Sequence, residues 1–340
     1  MDMPAAINSV LAHKDLSHDD MTSVMRTIMT GEATPAQIGG FLIGLRMKGE
    51  SIDEIAAAAQ VMRELATGVK VKGDHVVDIV GTGGDSLSTF NISTACCFIV
   101  AAAGGKVAKH GNRSVTSSSG SADLLEAAGV NLNISAEQVA KCIEQVGVGF
   151  MFAPLHHSAM KHAIGPRKEM AVRTIFNVLG PLTNPAGAPN QLLGVFADEL
   201  VEPLANVLKK LGSDHVMVVH SADGMDEISI GARTSVAELK NGKIKTYSIE
   251  PEDFDMQKAD IKQLVVDGPQ QSLGMIKLIF EGHTGPARDI TLLNAGAAIY
   301  VAGLANSHKA GIEKAEQILD SGAAMQKLDD LVKLTSSFKD

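Results

Sequence analysis

The chain has 340 residues, 45% of them hydrophobic and 20% charged, with 39 acidic side chains against 30 Lys and Arg for a formal charge of −9. Its size admits one large domain or two modest ones, and its composition belongs to a folded globule rather than a disordered chain. The acidic balance argues against general affinity for nucleic-acid phosphate or anionic membranes, and the absence of Trp leaves little for base stacking.

The first ten residues lack a basic segment followed by an apolar one, so no secretory signal is expected. Residues 1–72 read as helices. Thr34-Pro35-Ala36-Gln37 offers an N-cap, proline at the first helical position and a capping-box glutamine; Ser51-Ile52-Asp53-Glu54 repeats the device before an alanine-rich run. Gly39, Gly40 and Gly44 fall inside the first of these helices, where glycine disfavours helix; they are read as sites of close helix packing.

Near residue 73 the pattern changes. Val76-Val77-Asp78-Ile79-Val80 is a short strand running into Gly81-Thr82-Gly83-Gly84-Asp85. A helix over 93–103, a strand over 106–109, a helix capped by Ser121-Ala122-Asp123, a helix capped at Ser135 and a strand over 148–152 follow. This alternation predicts an α/β fold with a mainly parallel sheet. The charge-free stretch 86–105 has spanning length but carries Ser86, Ser88, Thr89, Asn91, Ser93 and Thr94, too polar for a membrane helix. Cys96, Cys97 and Cys142 lack C-x-x-C spacing and are expected as buried, reduced thiols. A soluble, cytoplasmic protein is expected.

Residues 165–182 interrupt the rhythm with a charged amphipathic helix and the prolines Pro181, Pro185 and Pro189. They are assigned back to the N-terminal helices. The expected partition is therefore a discontinuous small helical domain, 1–72 with about 165–188, and a large α/β domain, 73–164 with 189–340. Strands over 192–196 and 216–219 flank a helix near 200–211. Asn241-Gly242 between two β-rich runs marks a type I′ hairpin. Helices over 294–303 and 310–335 close the chain.

The dinucleotide fingerprint, Walker loop, H-E-x-x-H and G-x-S-x-G patterns are all absent. What remains is a local charge anomaly. Between Asp85 and Asp123 the only formal charges are Lys106, Lys109 and Arg113, a net +3 inside a chain of −9. Two glycine- and hydroxyl-rich loops, one leading into this window from Gly81 and one within it, each precede a helix, an arrangement that turns backbone N–H groups and positive helix ends toward an anion. Asp226-Glu227, after the strand over 216–219, is placed to hold Mg²⁺ against phosphates.

These residues carry a resemblance. Gly81-Thr82-Gly83-Gly84-Asp85, Asn91-Ile92-Ser93-Thr94, Lys109-His110-Gly111-Asn112-Arg113-Ser114-Val115 and Gly120-Ser121-Ala122-Asp123 resemble the signature of the anthranilate phosphoribosyltransferase family. Arg167, the run from Phe176 to Pro185, Asp226-Glu227 and Asn294-Ala295-Gly296 continue it in order. The resemblance implies a small helical domain beside a large α/β domain of the nucleoside-phosphorylase-like class. It further implies transfer of a phosphoribosyl group from phosphoribosyl pyrophosphate to anthranilate, the second step of tryptophan biosynthesis.

By the same resemblance Gly81, Gly84, Asp85, Thr89, Asn91, Ile92, Ser93, Thr94, Lys109, His110, Gly111, Asn112, Arg113, Ser114, Val115, Thr116, Ser117 and Ser121 bind the donor. Gly81, Asn112 and Arg167 face anthranilate, where an arginine fork suits a carboxylate. Ser93, Asp226 and Glu227 hold Mg²⁺, two ions per subunit, and a homodimer forms through the N-terminal helices. No discrete acid or base is implied; His110 is the nearest proton acceptor, with a structural loop histidine as the competing reading. Ser118 departs from the basic residue many relatives carry there, which shifts anion binding toward Lys109 and Arg113. The alternatives are a pyrimidine-nucleoside phosphorylase-like enzyme, disfavoured by Asp226-Glu227 and Arg167, and a catalytically silent nucleic-acid-binding relative, disfavoured by the −9 charge.

Overall fold

The computed structural model describes residues 1–84, 87–114 and 118–338. Four helices come first: α1 (Met3–Leu11), α2 (His18–Met29), α3 (Pro35–Lys48) and α4 (Ile52–Leu65). Both expected capping boxes form, at Thr34 with Gln37 and at Ser51 with Glu54. Gly44 lies against α1: a Cβ there would stand 2.7 Å from Val10 Cγ2, so the helices approach at a distance only glycine permits.

The α/β part runs β1 (Val76–Gly81), α5 (Ile92–Ala102), β2 (Lys106–Gly111), α6 (Ser121–Ala127), α7 (Ala136–Gln145) and β3 (Val148–Phe152). It continues through α8 (Ala153–His156), α9 (Lys161–Met170), α10 (Phe176–Leu182), β4 (Asn190–Gly194), α11 (Val201–Lys210) and β5 (His215–Ser221). The hairpin β6 (Thr234–Lys240) and β7 (Lys243–Ile249) follows, then α12 (Pro269–Phe280), α13 (Pro286–Val301), α14 (His308–Asp320) and α15 (Ala323–Ser337). The sheet has 7 strands in the order β3-β2-β1-β4-β5-β6-β7. Pairings from β3 through β5 are parallel, and β6 and β7 add antiparallel. Asn241 (φ 52°) and Gly242 (φ 70°) turn the hairpin, as the type I′ geometry requires.

The two-residue period of the strands sorts their side chains to opposite faces. Leu192, Met217 and Val219 point to a core shared with α5 and α13. Leu193, Val216 and Val218 point to a second core shared with α11, the N-terminal helices and Ile175, Phe176, Leu179 and Leu182 around α10. The segment 165–182 thus packs with the N-terminal helices through its apolar residues. Cys96, Cys97 and Cys142 are buried free thiols, and burial pushes the Cys97 thiol up to about 12. Among the described residues no helix is long and apolar enough to cross a membrane.

Several local expectations are corrected. Ser121 is the first helical residue of α6, not its cap: Gly120 takes the cap position and its N–H donates to Asp123 Oδ2 at 2.9 Å. The span 165–182, read as holding one charged amphipathic helix, contains the end of α9 and all of α10, separated where Ala171 adopts a left-handed backbone (φ 52°); Pro181 lies inside α10 instead of punctuating the chain. The closing helix breaks at Gly322 (φ 74°) into α14 and α15. The helix α12 has no counterpart among the expected elements; its Gly274 and paired glutamines blur the amphipathic period.

Candidate active site

The chain leaves β1 toward β2 and β3, then returns to β4 on the other side of β1, so a crevice opens at the carboxyl ends of β1 and β4. Gly81 and Gly194, the last residues of these strands, are paired. Asp226, in the loop after β5, folds across both. A Cβ on Gly81 would stand 2.4 Å from Asp226 Oδ2, and one on Gly194 would stand 1.5 Å from the Asp226 carbonyl oxygen. The Gly83 N–H donates to Asp226 Oδ2 at 2.7 Å. The first glycine loop and the acidic pair, 143 residues apart in sequence at this contact, therefore meet.

The acidic loop is held from behind by Asn294 of α13, which is fully buried. Its Oδ1 accepts from Ile228 N at 3.0 Å and its Nδ2 donates to Ile228 O at 2.8 Å. Ile228 directly follows Glu227, so one amide fixes the backbone leaving the carboxylate pair. The motif resemblance includes Asn294 but assigns it no task.

The second loop follows β2. Lys109 is 3% exposed; its Nζ donates to Ile79 O at 2.6 Å and to Ser93 Oγ at 3.3 Å, joining β1 to the first turn of α5. Beneath it lies Asp78, fully buried, whose Oδ2 accepts from Asn184 Nδ2 at 2.7 Å. Burial pushes the Asp78 carboxyl up to about 6, against the opposing pull of the Lys109 ammonium. Asp123 Oδ2 accepts from Ser114 N at 3.0 Å as well as from Gly120, which closes the loop on itself. Gly111 packs on Ser121, where a Cβ would stand 2.4 Å from Ser121 Oγ.

Asn91 ties the loops together. Its Nδ2 donates to Ser119 O at 3.0 Å, and its Oδ1 accepts from Ser119 Oγ and from Ser272 Oγ of α12, each at 2.8 Å. Thr89 bridges Val265, and Ile92 and Thr94 are buried in the first turn of α5. Asn112 Oδ1 accepts from Arg113 N at 2.8 Å. Arg113 itself donates to Glu126 Oε1 at 2.6 Å and lies over the Phe152 ring, so part of the positive charge expected for an anion is matched by an acid of α6. Ser118 Oγ donates to Val266 O at 2.8 Å. Asp85, Val115, Thr116 and Ser117 lie outside the described residues.

Arg167 of α9 stands over the Phe176 ring at 5.0 Å, and burial lowers its guanidinium from the usual value. It makes no hydrogen bond to Gly81 or Asn112 among the described residues. His110 meets His157 edge to face at 5.0 Å, and the Nε2 atom of each is buried without a hydrogen-bond partner among the described residues. Burial, reinforced by neighbouring histidines, holds His110 at about 3 and His157 at about 4. Both rings are neutral near pH 7, and so low a value makes His110 a poor proton acceptor. Sequence reasoning misses His157, whose only signal is the His-His doublet after β3, and Arg173, whose contact with the first glycine loop has no local signal.

No cluster of three or more His, Cys, Asp or Glu side chains forms a metal site among the described residues. The set that the resemblance names, Ser93, Asp226 and Glu227, is one of oxygens. It suits a hard cation that takes its remaining ligands from phosphate and water.

Comparison with known proteins extends this geometry. The chain matches the model of the glycosyl transferase family a/b domain over residues 73–325 and that of the family's helical bundle domain over residues 4–66. It is 64% identical over 337 residues to anthranilate phosphoribosyltransferase of Thioalkalivibrio sulfidiphilus, covering 99% of this chain and 100% of that one. Among solved structures it resembles anthranilate phosphoribosyltransferase of Thermus thermophilus with a TM-score of 0.93 and 40% identity, covering 98% and 99% of the two chains. It also resembles the Saccharomyces cerevisiae enzyme in complex with PRPP and Mg, with a TM-score of 0.88 and 29% identity over 99% and 98% of the two chains.

Proposed function

The chain belongs to the anthranilate phosphoribosyltransferase family, and from that membership we propose its reaction. It transfers the phosphoribosyl group of 5-phosphoribosyl 1-pyrophosphate to the amino group of anthranilate, giving N-(5-phosphoribosyl)anthranilate and pyrophosphate. One observation carries the reading beyond similarity. The Gly81–Gly84 loop, Lys109 with Ser93, and the Asp226 loop converge on the carboxyl ends of adjacent parallel strands. That is where this class of sheet binds phosphorylated ligands.

The anthranilate nitrogen attacks C1′ of the ribose; the C1′–N bond forms as the bond to pyrophosphate breaks, and the nitrogen then gives up a proton. The amine is a neutral nucleophile, so positioning and charge neutralisation carry the catalysis. Lys109, the N–H groups of both glycine loops and the first turns of α5 and α6 receive the donor, with Asp85, Val115, Thr116 and Ser117 assigned by resemblance. Arg167 forks onto the anthranilate carboxylate, with Gly81 and Asn112 on the same side. His110 and His157, held neutral and buried, take no proton, and the proton passes to solvent. Ser93, Asp226 and Glu227 would hold Mg²⁺, two ions per subunit in this reading; when bound, the metal neutralises the leaving pyrophosphate.

The small helical unit is 1–72 with about 165–188, and the large one is 73–164 with 189–340. Leu11, Met47, Ile164 and Val172 are exposed apolar residues of α1, α3, α9 and its following connector, and they support a homodimer through the N-terminal helical unit. The decisive assay is consumption of anthranilate with release of equimolar pyrophosphate on adding the donor and Mg²⁺. No donor-dependent consumption would overturn the reaction. Full activity of a variant carrying both Asp226→Ala and Glu227→Ala would remove the metal assignment while leaving the reaction in place.

A further inference from the structure

Between α9 and α10 the chain makes a short connector that opens with Ala171 in the left-handed region (φ 52°) and holds Arg173 at its centre. The Arg173 side chain is exposed, yet it is held on two sides. Its Nη2 donates to Gly84 O at 2.6 Å, and its guanidinium lies 4.1 Å over the Phe196 ring. Phe196 belongs to the same assembly: its N–H donates to Thr82 Oγ1 at 3.1 Å, and Thr82 N donates to Gly194 O at 2.9 Å. The connector backbone is in turn held by Arg46 of α3, whose Nη1 donates to the Arg173 carbonyl. Gly84 has φ +82°, and a Cβ there would stand 3.1 Å from Arg173 Nη2, so the guanidinium occupies the space a side chain would need.

We propose that Arg173 is a positioning residue for the phosphoribosyl donor: it latches the Gly81–Gly84 loop to the helical unit through Arg46. The inference rests on the proposed reaction and adds a residue that no motif assigned. Three chain segments far apart in sequence, α3, the turn after β4 and the phosphate loop, meet at Arg173 of the α9–α10 connector: Arg46 holds its carbonyl, Phe196 its guanidinium face, and Gly84 O accepts from its Nη2. A planar guanidinium does this where an ammonium would not, because it donates in its plane while its face stacks on an aromatic ring. Arg167 lies on the helix that leads into the same connector, so the latch also ties the acceptor side to the donor loop. It brings cationic charge beside the loop, where its contacts are a carbonyl and a ring rather than an acid among the described residues.

The test compares Arg173→Ala, Arg173→Lys and Arg46→Ala in the full chain. Arg173→Ala should raise the donor KM about tenfold or more while the anthranilate KM stays within threefold, and Arg173→Lys should behave much like alanine. Calorimetric binding of phosphoribosyl pyrophosphate with Mg²⁺ and no acceptor should weaken in parallel. Methylguanidinium should restore donor binding to Arg173→Ala. The pair Arg46→Ala and Arg173→Ala should cost less together than the product of their separate effects, as expected for residues in one contact chain. An unchanged donor KM, equal rises in both KM values, full function of the lysine variant, or independent effects of Arg46 and Arg173 would each overturn the latch. Turnover by the wild-type chain tests the reaction separately, so failure of one does not imply failure of the other.

Discussion

Replacing Gly81 by alanine adds a single methyl at the point where the glycine loop meets the acidic pair. The new Cβ would stand 2.4 Å from Asp226 Oδ2 and 3.0 Å from its Cγ, whereas ordinary contact begins at about 3.4 Å. The carboxylate must therefore move by about 1 Å, and its 2.7 Å hydrogen bond from Gly83 N–H lengthens or breaks. The atom displaced is the end of a rotatable side chain, so the fold yields cheaply and the melting temperature should shift by only a few degrees. Function should not be spared. A misplacement of about 1 Å at a reacting site costs roughly 100-fold, and losing a hydrogen bond to a charged group costs about 1.5–3 kcal/mol, or roughly 10- to 100-fold. Steady-state rates of anthranilate consumption should show donor kcat/KM down about 10- to 100-fold, with half-maximal activation at higher Mg²⁺. Gly194→Ala is the control of opposite character. There the clash is with backbone, at 1.5 Å from the Asp226 carbonyl oxygen, and the variant should lose stability together with activity. A Gly81→Ala protein with unchanged melting and kcat/KM within threefold of wild type would refute the reasoning.

Three further outcomes are expected. Arg167→Ala should raise the anthranilate KM by about tenfold or more, since the proposed charge-assisted fork onto the carboxylate would be lost, while the donor KM stays within threefold; equal effects on both would take Arg167 out of the acceptor site. Asn294→Ala leaves the Ile228 N–H and C=O buried without their partner and should cost about 2–4 kcal/mol in urea unfolding, a loss below about 1 kcal/mol counting against the clasp. His110 and His157 are depressed in the folded chain to about 3 and about 4, so the unfolded chain binds the extra protons as pH falls below about 6.5. Stability is therefore fully present above that pH and lost on acidification, by about 2 kcal/mol for each ring at pH 5. Comparing urea midpoints at pH 7 and 5 for wild type and His110→Asn checks this, with an equally steep decline in the variant as the refuting result.

Much of the architecture was legible in the residues because its signals are local. Thr34-Pro35-Ala36-Gln37 and Ser51-Ile52-Asp53-Glu54 cap their helices through bonds three residues apart, and Asn241-Gly242 supplies two left-handed positions that few other pairs tolerate. The alternation of short strand and helix set the parallel sheet. Misreadings fell where the deciding interaction was not local. The cap of α6 is a glycine because Gly120 presses on Ser114 and Asn112 of the preceding loop, and Pro181 sits inside α10, which packs on α4.

The sequence by itself determined which chemistry the chain brings: two glycine loops, a locally basic window in an acidic protein, an acidic pair and an arginine suited to a carboxylate. Spacing along the chain could not say which of these touch. Only the tertiary structure decided that Asp226 lies across Gly81 and Gly194, that Lys109 spans β1 and α5, that Glu126 matches part of the charge of Arg113, and that Arg173 reaches Gly84. The physical reason is strand order. Inserting β1 between β2 and β4 brings loops that are remote in sequence to one edge of the sheet, and that long-range pairing has no signature in any single stretch of residues.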